Sequence, residues 1–141
     1  MISSLLLCAV TLTAGSTEVV IERMAPACVR FAAEEMTNLL SKVFGCEVPI
    51  AHDFTSGRAA IVLGTNAWSV AAGLRPETLP RDGFEIRAEG SRVYIAGADD
   101  PKSHPHLLVK TGNYPRTELS TLFGVYEFLE RYAGCRFYFP G

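Results

Sequence analysis

Apolar and polar positions along the chain follow two distinct periods. From Val29 the apolar residues recur at Ala33, Met36, Leu40 and Val43, in steps of four, three, four and three. Arg30, Glu34, Glu35, Asn38 and Lys42 fall largely on the other side. That is one face of an amphipathic helix, begun at Ala25-Pro26 and stopped at Gly45. A second helix is predicted from about Thr117 to Tyr132, with Leu122, Val125, Leu129 and Tyr132 on one stripe and Gly134 after it. Between and around these lie short strand-like runs. Glu18-Val19-Val20-Ile21 is rich in β-branched residues, and Val48-Pro49-Ile50 carries a proline suited to a sheet edge. Ala59 to Leu63 is continuously apolar, as a buried central strand requires. Phe84 to Arg87 and Val93 to Ile95 alternate, with Glu89-Gly90-Ser91 between them, and read as a hairpin with one wet face. Cys135 to Phe139 reads as a last strand.

Three segments are less regular. Thr65 is placed to cap a short helix over Asn66–Ala72. Pro76, Pro80 and Asp82-Gly83 mark a loop and a turn. Residues 99–116, with three prolines and two histidines, form a connection too long for an ordinary loop in a compact domain. Strands and helices alternate, but the hairpin prevents an all-parallel sheet. The fold class expected is therefore α+β (mixed α/β): a mixed sheet with two main helices packed on it as a two-layer sandwich.

Length and composition narrow this further. The chain has 141 residues, 48% hydrophobic and 20% charged, with a formal net charge of -2. That is the composition of one globular domain. A (β/α)₈ barrel, which needs about 200 residues, does not fit. A charge near zero with no Lys/Arg run leaves no electrostatic footprint for nucleic acid. Residues 2–17 carry no charge and include the apolar run Leu5 to Val10, followed by Ala14-Gly15-Ser16. The run is too short to span a bilayer, so no stable membrane anchor is expected. It resembles an export signal cut after Ser16, although no Lys or Arg precedes it. The expected division is therefore a signal peptide over residues 1–16 and a secreted or periplasmic domain over 17–141. The competing reading is a buried first strand.

Without Cys8, an odd set of cysteines remains: Cys28, Cys46 and Cys135. Cys28 and Cys46 flank a helix about 27 Å long, well beyond disulfide reach. Buried free thiols are the expectation.

Candidate chemistry is sparse. Glu34 and Glu35 are adjacent on a helix and diverge by about 100°, so they cannot flank one bond and belong to a solvated face. Asp99-Asp100 suit a turn cap better than a cation site. Glu127 and Glu130 read as surface residues. His104 and His106 lack a third ligand, so no metal site is assigned; a small metal hydrolase built from them with Asp99 or Asp100 is a remote alternative. Neither helix carries an H-E-x-x-H motif, and no nucleophile elbow, Walker loop or G-x-G-x-x-G occurs, so no cofactor is expected. Leu63-Gly64-Thr65-Asn66 puts a glycine at a strand-to-helix turn, where backbone N–H groups can meet an anion, but a tight turn is the simpler reading. The aromatic group Phe123, Tyr126, Phe128, Tyr132, Phe137, Tyr138 and Phe139 is dense. Of these, Tyr126, Tyr138 and Phe139 are the candidate binding residues, for a domain interface or for sugar stacking. No catalytic residue is assigned.

The order of these segments carries a resemblance. It runs from Ala32-Ala33-Glu34-Glu35-Met36 and Gly45-Cys46-Glu47-Val48-Pro49-Ile50 through Ile61-Val62-Leu63-Gly64, Asp82-Gly83-Phe84-Glu85-Ile86 and Val93-Tyr94-Ile95-Ala96-Gly97. It ends with Thr121-Leu122-Phe123-Gly124-Val125-Tyr126-Glu127-Phe128-Leu129-Glu130 and Gly134 to Gly141, the most specific part. The chain resembles the N-terminal, non-catalytic α/β domain that precedes the barrel in β-N-acetylhexosaminidases, α-glucuronidases and related secreted bacterial proteins. The resemblance implies a zincin-like mixed sheet with a helix pair and no bound metal. It also implies a catalytic barrel, in the same polypeptide, that carries the acid/base carboxylates and meets the carbohydrate substrate. The 99–116 segment is longer than the short link expected there. The functional expectation is an accessory domain of a secreted glycoside hydrolase, truncated before its barrel. The alternative is a free-standing carbohydrate-binding module using the C-terminal aromatic cluster.

Overall fold

The computed structural model describes residues 4–7, 10–102 and 119–135. Its centre is a mixed sheet of five strands. Thr17–Val20 (β3) lies between Ile50–Ala51 (β4) and Ala59–Leu63 (β5), both parallel to it. Arg92–Gly97 (β7) adds in parallel to β5, and Phe84–Glu89 (β6) closes the far edge antiparallel to β7. The order is β4-β3-β5-β7-β6. The apolar run 59–63 is thus an inner strand, as its lack of alternation requires. The hairpin is longer than the alternation suggested, because Glu89 and Arg92 also pair across a turn at Gly90-Ser91.

Two long helices cover one face. Ala27–Phe44 (α1) follows Pro26, whose carbonyl accepts the N–H groups of Val29 and Arg30. Pro26 is therefore the residue before the helix rather than its first member. At the other end Gly45 takes φ 70°, the left-handed conformation that glycine adopts without a Cβ clash. After the short helix Ala67–Ala71 (α2), the second long helix is Ser120–Tyr132 (α3). The predicted start at Thr117 lies outside the described residues. α3 sits close on the sheet at Gly124: a Cβ there would stand 2.6 Å from Ile95 Cγ2 and 3.2 Å from Phe84. Met36, Leu40, Ile61, Leu63, Ile95, Phe128 and Leu129 fill this side, all with no exposed surface.

The opposite face has a smaller core of Val20, Ala60, Val62, Leu74, Tyr94 and Ala96. Trp68 and Ala72 of the α2 segment pack against it, so α2 makes a partial third layer beyond the expected sandwich.

Residues read as a leader form part of this structure. Ser4–Leu7 (β1) pairs antiparallel with Val10–Thr13 (β2). Val10 and Leu12 are fully buried in the helix-side core. The Thr13 carbonyl accepts from Ser16 N at 3.0 Å and Thr17 Oγ1 at 2.9 Å, which ties the hairpin to β3. A cut after Ser16 would remove two core side chains. Residues 10–13 thus form a half-buried strand in the uncut chain.

Candidate functional site

Two places in the fold bring functional side chains together. The first is the rim at the carboxyl ends of β3, β5 and β7. The chain leaves β3 toward β4 on one side and reaches β5 on the other, the divergence at which open α/β sheets place ligands. A cleft of about 280 Å³ lies there, lined by Val29, Thr65, Glu77, Gly97, Asp99 and Pro101 among others. Its polar groups hold chain to chain. Asp99 Oδ1 accepts the backbone N–H of Thr121 at 2.9 Å, and Oδ2 accepts the Thr121 hydroxyl. A carboxylate from the end of β7 thus serves the first turn of α3, where the helix dipole favours negative charge. The Thr121 hydroxyl oxygen in turn accepts Gly97 N–H, and Thr65 Oγ1 donates to the Gly97 carbonyl at 3.1 Å.

Asp100, by contrast, makes the local turn expected of it, accepting Lys102 N–H at 2.9 Å. The Cys28 thiol, buried at the start of α1, lies 3.7 Å from the Asp100 carbonyl. Burial, reinforced by the nearby Asp99 carboxylate, pushes its pKa up to about 11. At neutral pH it stays protonated and is a poor nucleophile. The predicted anion turn at Gly64 is likewise used by the chain. Asn66, not Thr65, caps α2: its side chain accepts Ser69 N–H while Ser69 Oγ accepts Asn66 N–H, both at 2.9 Å.

The second place is the open face of the sheet. Glu18 is 1% exposed, and its carboxylate accepts Thr55 N–H at 2.7 Å. That bond holds the loop after β4 against the sheet and carries Phe54 with it. Phe54 meets Trp68 edge to face, ring centroids 5.1 Å apart and planes at 71°, a favoured aromatic geometry. The Arg92 guanidinium lies 3.6 Å from the Phe54 centroid on the same ring. Beside this stack runs an open groove of about 410 Å³, walled by Trp68, Arg92, Tyr94 and Glu89, with Ala71, Ala72, Gly90 and Ser91 completing it. Sequence reasoning missed this group. Its one visible signal was a charged residue, Glu18, heading a β-branched run.

Of the three predicted binding residues, Tyr126 alone lies within the described residues. Tyr126 is half-buried between the long helices, and its hydroxyl donates to Glu35 Oε2 at 3.2 Å. Burial and the Glu35 charge raise its pKa to about 12. Glu35 therefore bonds across the helix pair and is not merely solvated, whereas Glu34 is exposed. Tyr138 and Phe139 lie outside the described residues, as do His104 and His106. Glu127 pairs with Arg131 at 2.6 Å along the exposed side of α3. Cys28, Cys46 and Cys135 are free thiols. Among the described residues no three His, Cys, Asp or Glu side chains are grouped to hold a metal ion, and no helix is long and apolar enough to cross a membrane.

The fold and the two sites define a mixed α/β domain with a tightly bonded rim and an open aromatic groove. No protein-family model matches the chain, and no curated protein sequence is similar to it. Among solved structures, that of CpGH84D, a glycoside hydrolase family 84 protein by its designation, is similar over 81% of this chain. The TM-score is 0.49 and the sequence identity 10%. The chain spans 17% of that protein's length.

Proposed function

We propose that this chain is a non-catalytic accessory domain of a glycoside hydrolase. It precedes and buttresses a catalytic barrel in the same polypeptide. The supporting observation is the coincidence between the segments that carry the sequence resemblance and the architecture. The segments around 32–40, 61–64, 84–86, 93–97 and 121–130 are α1, β5, β6, β7 and α3, the elements that build the sheet and its helix pair. The rim supports the same view, because Asp99, Thr121, Thr65 and Cys28 are engaged in joining elements. The candidate contacts with the barrel are Tyr126, on α3, and Tyr138 and Phe139, which follow α3 in the sequence. Carbohydrate is the substrate of the whole protein, and its two reacting carboxylates, about 5 to 9.5 Å apart across the bond, come from the barrel. Export of the parent protein belongs to this proposal. A signal peptide over residues 1–16 belongs to it as well, and that segment includes Val10 and Leu12, both buried in this structure.

The test is direct. The purified chain, offered a panel of aryl glycosides, is expected to release no phenol above the buffer rate. Turnover that copurifies with the folded chain would refute the accessory role. A reading frame that continues past Gly141 for about 250 residues of strand–helix repeats is the matching genetic expectation.

A further inference from the structure

We infer that the groove beside Trp68 is a binding site for a neutral saccharide. The site is prebuilt. Trp68 meets Phe54 in a T-shaped pair, Phe54 is carried by the loop that buried Glu18 ties down, and Arg92 is stacked on Phe54. Side chains immobilised this way lose little further freedom when a ligand arrives. The volume, about 410 Å³, falls within the range of small-ligand sites.

The chemistry of the walls selects the ligand class. Trp68 offers an indole against which the C–H face of a sugar ring packs, and Ala71, Ala72 and Gly90 are small enough to let that ring approach. Glu89 and Arg92 are register partners across the β6–β7 turn, so an acceptor-only carboxylate and a donor-only guanidinium stand on the same face. Hydroxyl groups, which both donate and accept, satisfy both. A phosphate or carboxylate ligand meets the Glu89 charge, and an ammonium ligand meets Arg92. The groove therefore favours an uncharged, hydroxyl-rich ring with one apolar face. The inference rests on this groove alone and stands or falls separately from the accessory-domain proposal, which is tested by turnover.

Trp68 is the single tryptophan of the chain, so its emission reports on the groove alone. Glucose, N-acetylglucosamine and xylobiose are titrated separately into the full chain, with inorganic phosphate as the charged comparison. A saturable change in Trp68 emission is expected with at least one sugar and none with phosphate. Glu89→Ala, at an exposed turn position, and Arg92→Gln are each expected to weaken sugar binding about tenfold, the effect of losing one charge-assisted hydrogen bond. Unchanged far-ultraviolet dichroism checks that each variant folds. No saturable response to any of the three sugars overturns the inference. So does a response that survives both substitutions, or one that phosphate reproduces.

Discussion

The two faces of the sheet are made by alternate residues of the same strands, yet they are finished in opposite ways. On the helix side, Val19, Ile61, Val93 and Ile95 meet α1 and α3, and the contact is dry and close enough that Gly124 has no room for a methyl group. On the other side, Val20, Ala60, Val62, Tyr94 and Ala96 form a narrow core bordered by aromatic and charged groups: Phe54, Trp68, Arg92 and, farther out, Arg87. Arg87 lies on the β6 edge of that side, bonded to Glu85 at 2.7 Å and to the Ala72 carbonyl at 2.8 Å. One face supplies stability and the other leaves a groove. The difference arises from what covers each face. Long helices bring whole apolar stripes, whereas among the described residues the other face is met chiefly by a five-residue helix and loop segments, which cover only part of it.

The largest test of this contrast is removal of residues 1–16. Val10 and Leu12 belong to the helix-side core, and burying each contributes about 1.5–3 kcal/mol. A chain beginning at Thr17 should therefore unfold at a clearly lower urea concentration than the full chain, with a loss of roughly 3–6 kcal/mol. Equal midpoints would show that the hairpin adds nothing to the stability of the helix-side core.

Next in size is a matched pair of aromatic truncations. Phe128 is wholly buried on the helix side, so Phe128→Ala should cost about 3–5 kcal/mol. Trp68, half-buried at the groove, should cost nearer 1 kcal/mol when replaced by Ala. Equal losses in urea denaturation would erase the distinction between the faces.

The smallest effect is alkaline. Tyr126 ionises near pH 10 when unfolded and at about 12 in the fold, so between those values the unfolded chain releases a proton that the folded chain retains. Cys28 behaves likewise between pH 9 and about 11. The stability these groups contribute is complete below pH 9 and declines as pH rises to 12. Tyr126→Phe should flatten the upper part of that decline in unfolding curves recorded from pH 9 to 12. A profile identical to the unsubstituted chain would show that the Tyr126–Glu35 contact is absent in solution.

Much of the helix side was legible beforehand, because a periodic stripe reports the face a helix buries. The Val29–Val43 stripe, the glycine stop at Gly45 and the continuous run 59–63 each map onto the element expected, within a residue or two. The errors are local competitions between neighbours. Thr65 and Asn66 both have capping side chains, and Asn66 takes the role because Ser69 completes a reciprocal pair with it. Asp99 was read as a turn residue, but its partner is 22 positions away.

The amino-acid order alone determined which segments become helix or strand, which stripe of each helix turns inward, and that the sheet is mixed. Periodicity and turn chemistry act within a few residues and need no partner. Tertiary structure alone decided the pairing of Asp99 with Thr121, the burial of Glu18 under Thr55, and the meeting of Phe54, Trp68 and Arg92. Those groups are separated along the chain, and only the strand order β3-β5-β7 brings their backbones to one face. The groove beside Trp68 is a property of that order.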